Sequence, residues 1–172
     1  IIISQGYEVT SLANYLEESN DLFNRCEVII RPYPYAWQEE QEDGYKRVTN
    51  IDRDIRIEGG SLANQIDWSD AAIYGCTSAA MEIMLQGRIG IYLNLNHIFD
   101  LDPLTGKGDL SHVYRCTSID SLKQSLYEIR RMNSQEYSNF IEKQQEFASN
   151  IYAPLDNAGI KKILIEHNIR EA

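Results

Sequence analysis

The sequence predicts an α/β protein with a doubly wound, mainly parallel sheet of about six strands, helices on both faces and extra helices at the C-terminal end. Short apolar runs alternate along the chain with segments whose apolar residues recur at helical spacing. One run, Ala71–Tyr74, is apolar throughout, as is typical of a parallel strand buried on both faces. Beyond Ile119 only helical patterns follow, which predicts the extra helices.

Six segments are predicted strands because each is short, apolar and bounded by turn residues or charges. They are Ile1–Ser4, Glu27–Arg31, Ile55–Ile57, Ala71–Tyr74, Ile89–Leu93 and Val113–Cys116. Pro32 and Pro34 end the second strand, since proline has no N–H to donate to a ladder. The polar, acidic stretch Tyr35–Asn50 is predicted to be a solvated loop or insertion, and Asn94–Ser111 a long irregular segment.

The predicted helices combine apolar residues at helical spacing with residues that favour a helix start or end. They are Ser11–Phe23, a short helix after Ser61 that contains Leu62, Ile66 and Trp68, the segment AAMEIMLQ ended by Gly87, Ile119–Met132, Gln135–Ala148 and Ala158–His167. Each lies between predicted strands or after the last one, which gives the alternation of a doubly wound fold.

Composition excludes several functional classes. The 172 residues suffice for one domain, which we assign to the whole chain. A net charge of −10 argues against nucleic acid or an anionic membrane surface as the main partner, because both require a basic face. No apolar run approaches the ~20 residues of a membrane span. Cys26, Cys76 and Cys116 are widely spaced, which predicts reduced core thiols in a cytoplasmic protein.

In a doubly wound sheet, ligands bind beyond the carboxyl ends of the strands, near the point where the strand order reverses. The loops predicted at these ends are Gln5–Tyr7, Pro32–Pro34, Glu58–Ser61 and Gly75–Ser78. The last loop leads into a helix, whose first-turn N–H groups favour an anion.

We hypothesise that Thr77, Ser78 and the amides around Ala79 hold a phosphate, and that Glu82, one turn later, takes a sugar hydroxyl. The alternative is an ordinary capping box, in which Thr77 or Ser78 and a following acidic residue close a helix that binds nothing. Cys76 is interpreted as a packed thiol, and the alternative is a nucleophile at a helix N-terminus.

Three stretches carry a resemblance to a known family. VIIRPYP resembles the strand-end R/K-P-H-P signature of bacterial surface-polysaccharide transferases and polysialyltransferases. RIEGGSLANQIDWSDAAIYGCTSAAMEIMLQGRIGIYL resembles their succession of strand, short helix, strand, Ser/Thr pair, glutamate-bearing helix and final strand, and the helices after SID resemble their closing helices. The whole chain is therefore similar to the C-terminal, nucleotide-sugar-binding half of a GT-B-fold glycosyltransferase, with a Rossmann-like sheet.

The resemblance implies a nucleotide-sugar site without a metal or cofactor. The residues that it implies are Gly6, Arg31, Tyr33, Gly59, Gly60, Thr77, Ser78, Ala79 and Glu82. The Ser/Thr pair would contact phosphate, Glu82 the ribose, the glycine pair the base, and Arg31 the charge that develops on the departing phosphate. Tyr33 stands where the family has histidine, and Arg88-Ile89-Gly90 where it has a G-x-P turn.

The chain begins with three isoleucines and no initiator methionine, so we expect it to be a piece of a two-domain protein. The resemblance implies that the other part is an N-terminal acceptor-binding domain that supplies the general base, in a parent that associates with membranes or remains free. Two alternatives stay open. One is an enzyme of the same fold, such as a UDP-N-acetylglucosamine 2-epimerase-like protein or a polyol-phosphate transferase, and the other is a non-catalytic flavodoxin-like binding module.

Three smaller features carry weaker signals. The segment Thr105-Gly106-Lys107-Gly108 lacks the spacing of a phosphate loop and is interpreted as a flexible surface loop or lid. Tyr33, Tyr35 and Trp37 either stack on a base or sugar, or pack against a neighbouring domain. The three histidines share no spacing that predicts a triad or a metal site.

Overall fold

Six short strands run parallel in one sheet of the computed structural model, which describes residues 1–4, 9–18, 21–32, 39–51, 54–95, 99–100 and 102–152. They are β1 (Ile2–Ser4), β2 (Val28–Ile30), β3 (Ile55–Ile57), β4 (Ala71–Tyr74), β5 (Ile89–Leu93) and β6 (Tyr114–Cys116). Their order is β3-β2-β1-β4-β5-β6. The predicted α/β class with parallel strands is confirmed, and each predicted strand end lies within one residue of the observed end.

The strand order reverses beside β1. The chain first extends the sheet from β1 through β2 to β3, and then returns to place β4 on the other side of β1. In register, Ile2 lies opposite both Ile29 and Ala72. Because all pairings are parallel, the carboxyl ends of the strands meet at one edge of the sheet, which we call the carboxyl edge.

Helices pack on both faces of the sheet. They are α1 (Val9–Glu18), α2 (Glu39–Ile51), α3 (Leu62–Trp68), α4 (Ala79–Leu85), α5 (Ile119–Arg131) and α6 (Ser134–Ile151). Along β4, Ala71 and Ile73 join a core cluster with α1, α2 and α5, whereas Ala72 and Tyr74 join a second cluster with α3 and α4. All four β4 residues are buried, since successive side chains face opposite helical layers.

The prediction of a loop or insertion over Tyr35–Asn50 is wrong where the structure describes this stretch, because Glu39–Ile51 forms α2. Tyr45 and Val48, three positions apart, are buried in the cluster that also contains α1 side chains. Glu42 and Asp43, two of the acidic residues that suggested a loop, are exposed on the solvent face of this helix.

Gly44 lies in α2 where this helix contacts α1. A Cβ atom at this position would lie 3.0 Å from Thr10 Oγ1 and 3.1 Å from Val9 Cγ1. Glycine lowers helix propensity by about 1 kcal/mol relative to alanine, so its presence weakened the helical signal in the sequence. The absence of a side chain is what this helix contact requires.

The observed bounds of the first helix differ from the predicted ones. α1 ends at Glu18 and not at Phe23, although Leu22 and Phe23 are still buried in the turn that follows. The predicted helix Ala158–His167 lies outside the described residues.

A fully buried amide fixes α6 to the sheet. Gln144 Oε1 accepts a hydrogen bond from the Gly90 N–H at 3.0 Å, and Gln144 Nε2 donates to the carbonyls of Gly90 (3.3 Å) and His112 (2.8 Å). Gly90 has no room for a side chain, since its Cβ would lie 2.8 Å from Met84 Cε. The missing side chain at Gly90 lets the Met84 side chain of α4 pack close to β5.

We expect Gly44→Val to lower the free energy of unfolding by about 1–3 kcal/mol, because the added branches meet α1. Denaturant unfolding of the variant and the unchanged chain measures this. Asn50→Val, at an exposed position of the same helix, is the control for the helix propensity of valine. Equal losses in the two variants would show that the α1–α2 contact does not need glycine.

Candidate functional site

The loop between β4 and α4 places two hydroxyl side chains at the carboxyl edge. The Thr77 N–H donates to the Gly75 carbonyl at 2.8 Å, and Thr77 Oγ1 accepts from the Ala79 N–H at 3.2 Å. Ser78 precedes α4 with helical backbone angles and makes no capping hydrogen bond with its side chain. The capping interpretation holds in part, because the Thr77 side chain caps the Ala79 N–H, whereas the Ser78 side chain makes no capping hydrogen bond.

Several donors of this loop stay available. The Ser78 hydroxyl and the N–H groups of Cys76 and Ser78 have no hydrogen-bond partner within the part of the chain that the structure describes. The Thr77 hydroxyl accepts a bond and still has its own proton to donate. The Ala79 N–H, which was predicted to face a ligand, is occupied by Thr77. An anion at this edge would bind to these loop donors more than to the N-terminus of α4, because α4 has only 7 residues.

Glu82 lies on the same side of α4 as Ser78, since residues four positions apart share a helix face. Both side chains are exposed. The structure thus brings a hydroxyl donor and a carboxylate acceptor together on one accessible surface, which is the pairing that a phosphorylated sugar needs.

The loop between β3 and α3 forms a second part of the carboxyl edge. Gly60 has a φ of +106°, which a residue with a side chain rarely adopts, and a Cβ at Gly59 or Gly60 would meet nothing within 4 Å. Ser61 caps α3 by accepting from the Asn64 N–H at 3.4 Å. Among the described residues, therefore, nothing crowds the glycine pair on the side where a Cβ would lie.

Arg31 lies against this second loop. Its Nη1 atom donates to the Gly60 carbonyl at 2.7 Å and to Gln65 Oε1 at 2.9 Å. Gln65 Nε2 donates to the carbonyls of Glu58 (3.1 Å) and Gly59 (3.2 Å), and the side chain is only 7% exposed. Gln65 was missed from the sequence, because a glutamine in a short helix carries no pattern that predicts a buried amide.

The two loops lie on either side of the reversal. Since β3 and β4 are separated by β2 and β1, their carboxyl ends are three strand spacings apart, about 14 Å. A ligand bound to both loops must be extended, as a nucleoside phosphate is. Gly6 and Tyr33, together with Tyr35 and Trp37, lie outside the described residues, so their predicted roles stay predictions.

A charged cluster lies over the carboxyl ends of β5 and β6. Arg115 Nε donates to Asp102 Oδ2 at 3.0 Å, and Arg115 Nη2 donates to Asp100 Oδ2 at 2.7 Å. Thr105 Oγ1 also donates to Asp100, at 2.8 Å. The Arg115 guanidinium lies 5.4 Å from the centre of the Tyr92 ring. This cluster, which sequence analysis missed, fixes the start of the segment that leads to Gly106 and Gly108.

The two carboxylates of the cluster have opposite pKa shifts. Hydrogen bonding to Arg115 lowers the pKa of Asp100 to about 2. Burial raises the pKa of Asp102, although the Leu104 N–H and Arg115 act in the other direction. Burial likewise raises the pKa of Tyr74, whose hydroxyl has no hydrogen-bond partner among the described residues.

The cysteine prediction holds only in part. All three cysteines are free thiols. Cys116 is buried and lies 3.3 Å from Ser125 Oγ, and burial raises its pKa. Cys26 is half-buried, with Arg130 Nη2 at 2.8 Å from its sulfur. The interpretation of Cys76 as a packed thiol is wrong, because it is exposed in a loop whose backbone turns outward at the sheet edge.

The described ranges contain neither a cluster of metal-binding side chains nor a helix that could span a membrane. No group of three or more histidine, cysteine, aspartate or glutamate side chains there is arranged to hold a metal ion. None of the helices described is both long and apolar enough to cross a membrane.

The chain is similar to one solved structure in particular, the crystal structure of TarM. The two share 13% sequence identity with a TM-score of 0.62, over 97% of this chain and 35% of the TarM chain. The chain thus spans about a third of TarM, and a likeness at this identity shows a shared fold. No protein-family model matches the sequence, and no curated protein matches it.

We expect Asp100→Asn to flatten the fall in stability in acid. The unfolded carboxyl has a pKa of 3.8 and the folded one about 2, so between these values the unfolded state binds more protons and stability falls as the pH falls. In Asp100→Asn the free energy of unfolding above pH 4 is lower than in the unchanged chain, and it decreases less as the pH falls below 4. Thermal unfolding from pH 7 to pH 2 measures it.

Asp67→Asn, at an exposed position on α3, is the matched control and should keep the acid profile of the unchanged chain. An acid profile of Asp100→Asn that is identical to that of the unchanged chain would contradict a pairing of Asp100 with Arg115.

Proposed function

We propose that this chain is the donor-binding half of a glycosyltransferase that transfers a sugar from a nucleotide sugar during surface-polysaccharide biosynthesis in the cytoplasm. The observation that carries the proposal is the pair of open loops, Glu58–Ser61 and Gly75–Ser78, on either side of the strand-order reversal. Support comes from the fold shared with TarM, a glycosyltransferase.

Within this proposal the loop after β4 binds the phosphate end of the donor. The Ser78 hydroxyl and N–H, with the Thr77 hydroxyl, donate to phosphate oxygens, and Glu82 accepts from ribose hydroxyls. Negative charge grows on the nucleotide phosphate as the sugar leaves. Fixed donors that already point at this phosphate stabilise the charge without reorganising.

The loop after β3 binds the base in the same proposal, and its open glycine pair admits a flat ring. The acceptor and the general base belong to a second domain, in line with the resemblance to two-domain GT-B enzymes.

We expect the chain to bind one of UDP, CMP, GDP, CDP and dTDP selectively, and Ser78→Ala and Glu82→Ala each to weaken that binding about tenfold or more, since each removes a hydrogen bond to a charged or polyhydroxyl group. Ligand-observed NMR titration measures this. Ser138→Ala, near the opposite edge of the sheet, and Glu142→Ala, on α6, are the matched controls.

Equal affinities in all four variants would place the nucleotide elsewhere. No binding by this chain or by the intact parent protein would reject the nucleotide-sugar proposal and favour a non-catalytic binding module.

A further inference from the structure

The Gln65 side chain lies between the β3–α3 loop and Arg31 and contacts both. Its amide nitrogen donates to the carbonyls of Glu58 and Gly59, and its amide oxygen accepts from Arg31 at 2.9 Å. The reversed amide orientation would place the oxygen against two carbonyls and the nitrogen against a cation. Donor and acceptor chemistry therefore permits only the observed orientation.

Three successive carbonyls of the loop accept hydrogen bonds from this pair of side chains. Those of Glu58 and Gly59 accept from Gln65, and that of Gly60 accepts from Arg31 at 2.7 Å. In a trans peptide the C=O and the next N–H point in opposite directions. The N–H groups of Gly59, Gly60 and Ser61 therefore point away from Gln65. None of the three has a hydrogen-bond partner among the described residues.

One way to turn successive N–H groups toward the same side of a loop is to combine residues of negative and positive φ, as in the concave backbone motifs that bind anions. Gly60, with φ of +106°, supplies the positive φ. No described atom lies within 4 Å of a Cβ placed at Gly59 or Gly60, so the described part of the chain does not crowd the two glycines. The loop thus presents donors to a ligand, and its acceptors are already used inside the protein.

We propose that Gln65 is a positioning residue for the base of the nucleotide, and that Arg31 acts with it through the loop and not as a ligand of the phosphate. This inference rests on the proposed function. By fixing three carbonyls, the two side chains turn three N–H groups toward the acceptor-bearing edge of the base. The phosphate end is held independently, about 14 Å away, by the Ser78 loop.

The test uses the 172-residue chain labelled with ¹⁵N, with two measurements on each variant. Amide shifts and hydrogen exchange of Gly59, Gly60 and Ser61 in the free protein report the loop. Titrations with the five nucleotides, and with pyrophosphate as a ligand without a base, report binding. The variants are Gln65→Met and Arg31→Lys, with Asn64→Ala at an exposed position of the same helix as the control.

In Gln65→Met and Arg31→Lys we expect shifted, faster-exchanging loop amides and about tenfold weaker nucleotide binding, with unchanged pyrophosphate affinity. Ser78→Ala should weaken both ligands. Gln65→Glu, which still accepts from Arg31 but cannot donate to the carbonyls, should reproduce the effects of Gln65→Met, and it serves if that variant does not fold.

Unchanged loop amides in a folded Gln65 variant would overturn the inference. So would a pyrophosphate affinity that falls as far as the nucleotide affinity, because Arg31 would then be a phosphate ligand. If the unchanged chain and its parent bind no nucleotide, the proposed function fails, and altered loop amides in the variants would still establish that Gln65 fixes the loop.

Discussion

The pairing of β1 with both β2 and β4 is the constraint on which the rest of the structure depends. Ile2 and Ile3 each have register partners on both sides, so these two residues of a three-residue strand join the two halves of the sheet. Because the chain leaves β1 in one direction and returns on its other side, the strand order reverses beside β1, which is where the ligand crevice of a doubly wound sheet lies. The placement of the loops after β3 and β4 on either side of this reversal follows from strand order alone.

The sheet was predictable from the sequence because its strands are short apolar runs with clear ends. Ala71–Tyr74 and Ile89–Leu93 are buried along their whole length. Their sequences are therefore apolar almost throughout, which is the pattern of a strand covered on both faces. α2 was not predictable in the same way. Its buried residues are few, its solvent face is acidic, and Gly44 is a helix-weakening residue that only the contact with α1 explains.

The position of the candidate site was predictable, and its hydrogen bonds were not. Glycines and hydroxyl residues after strands predict loops at the carboxyl edge, and the loops after β3 and β4 lie there. The partners of Gln65 and Gln144 depend on distant carbonyls, which only the folded chain brings within reach. The capture of the Ala79 N–H by Thr77 is local, yet it depends on the backbone turn in which the Thr77 N–H donates to the Gly75 carbonyl.

The exposure of Cys76 has a practical consequence. Of the three thiols, Cys116 is buried and Cys26 is half-buried beside Arg130, whereas Cys76 is exposed one residue before Thr77. A maleimide dye or a nitroxide would therefore attach first at Cys76 without any cysteine having to be introduced. The native chain thus carries its own attachment point for a spectroscopic reporter, at the rim of the crevice between the two loops.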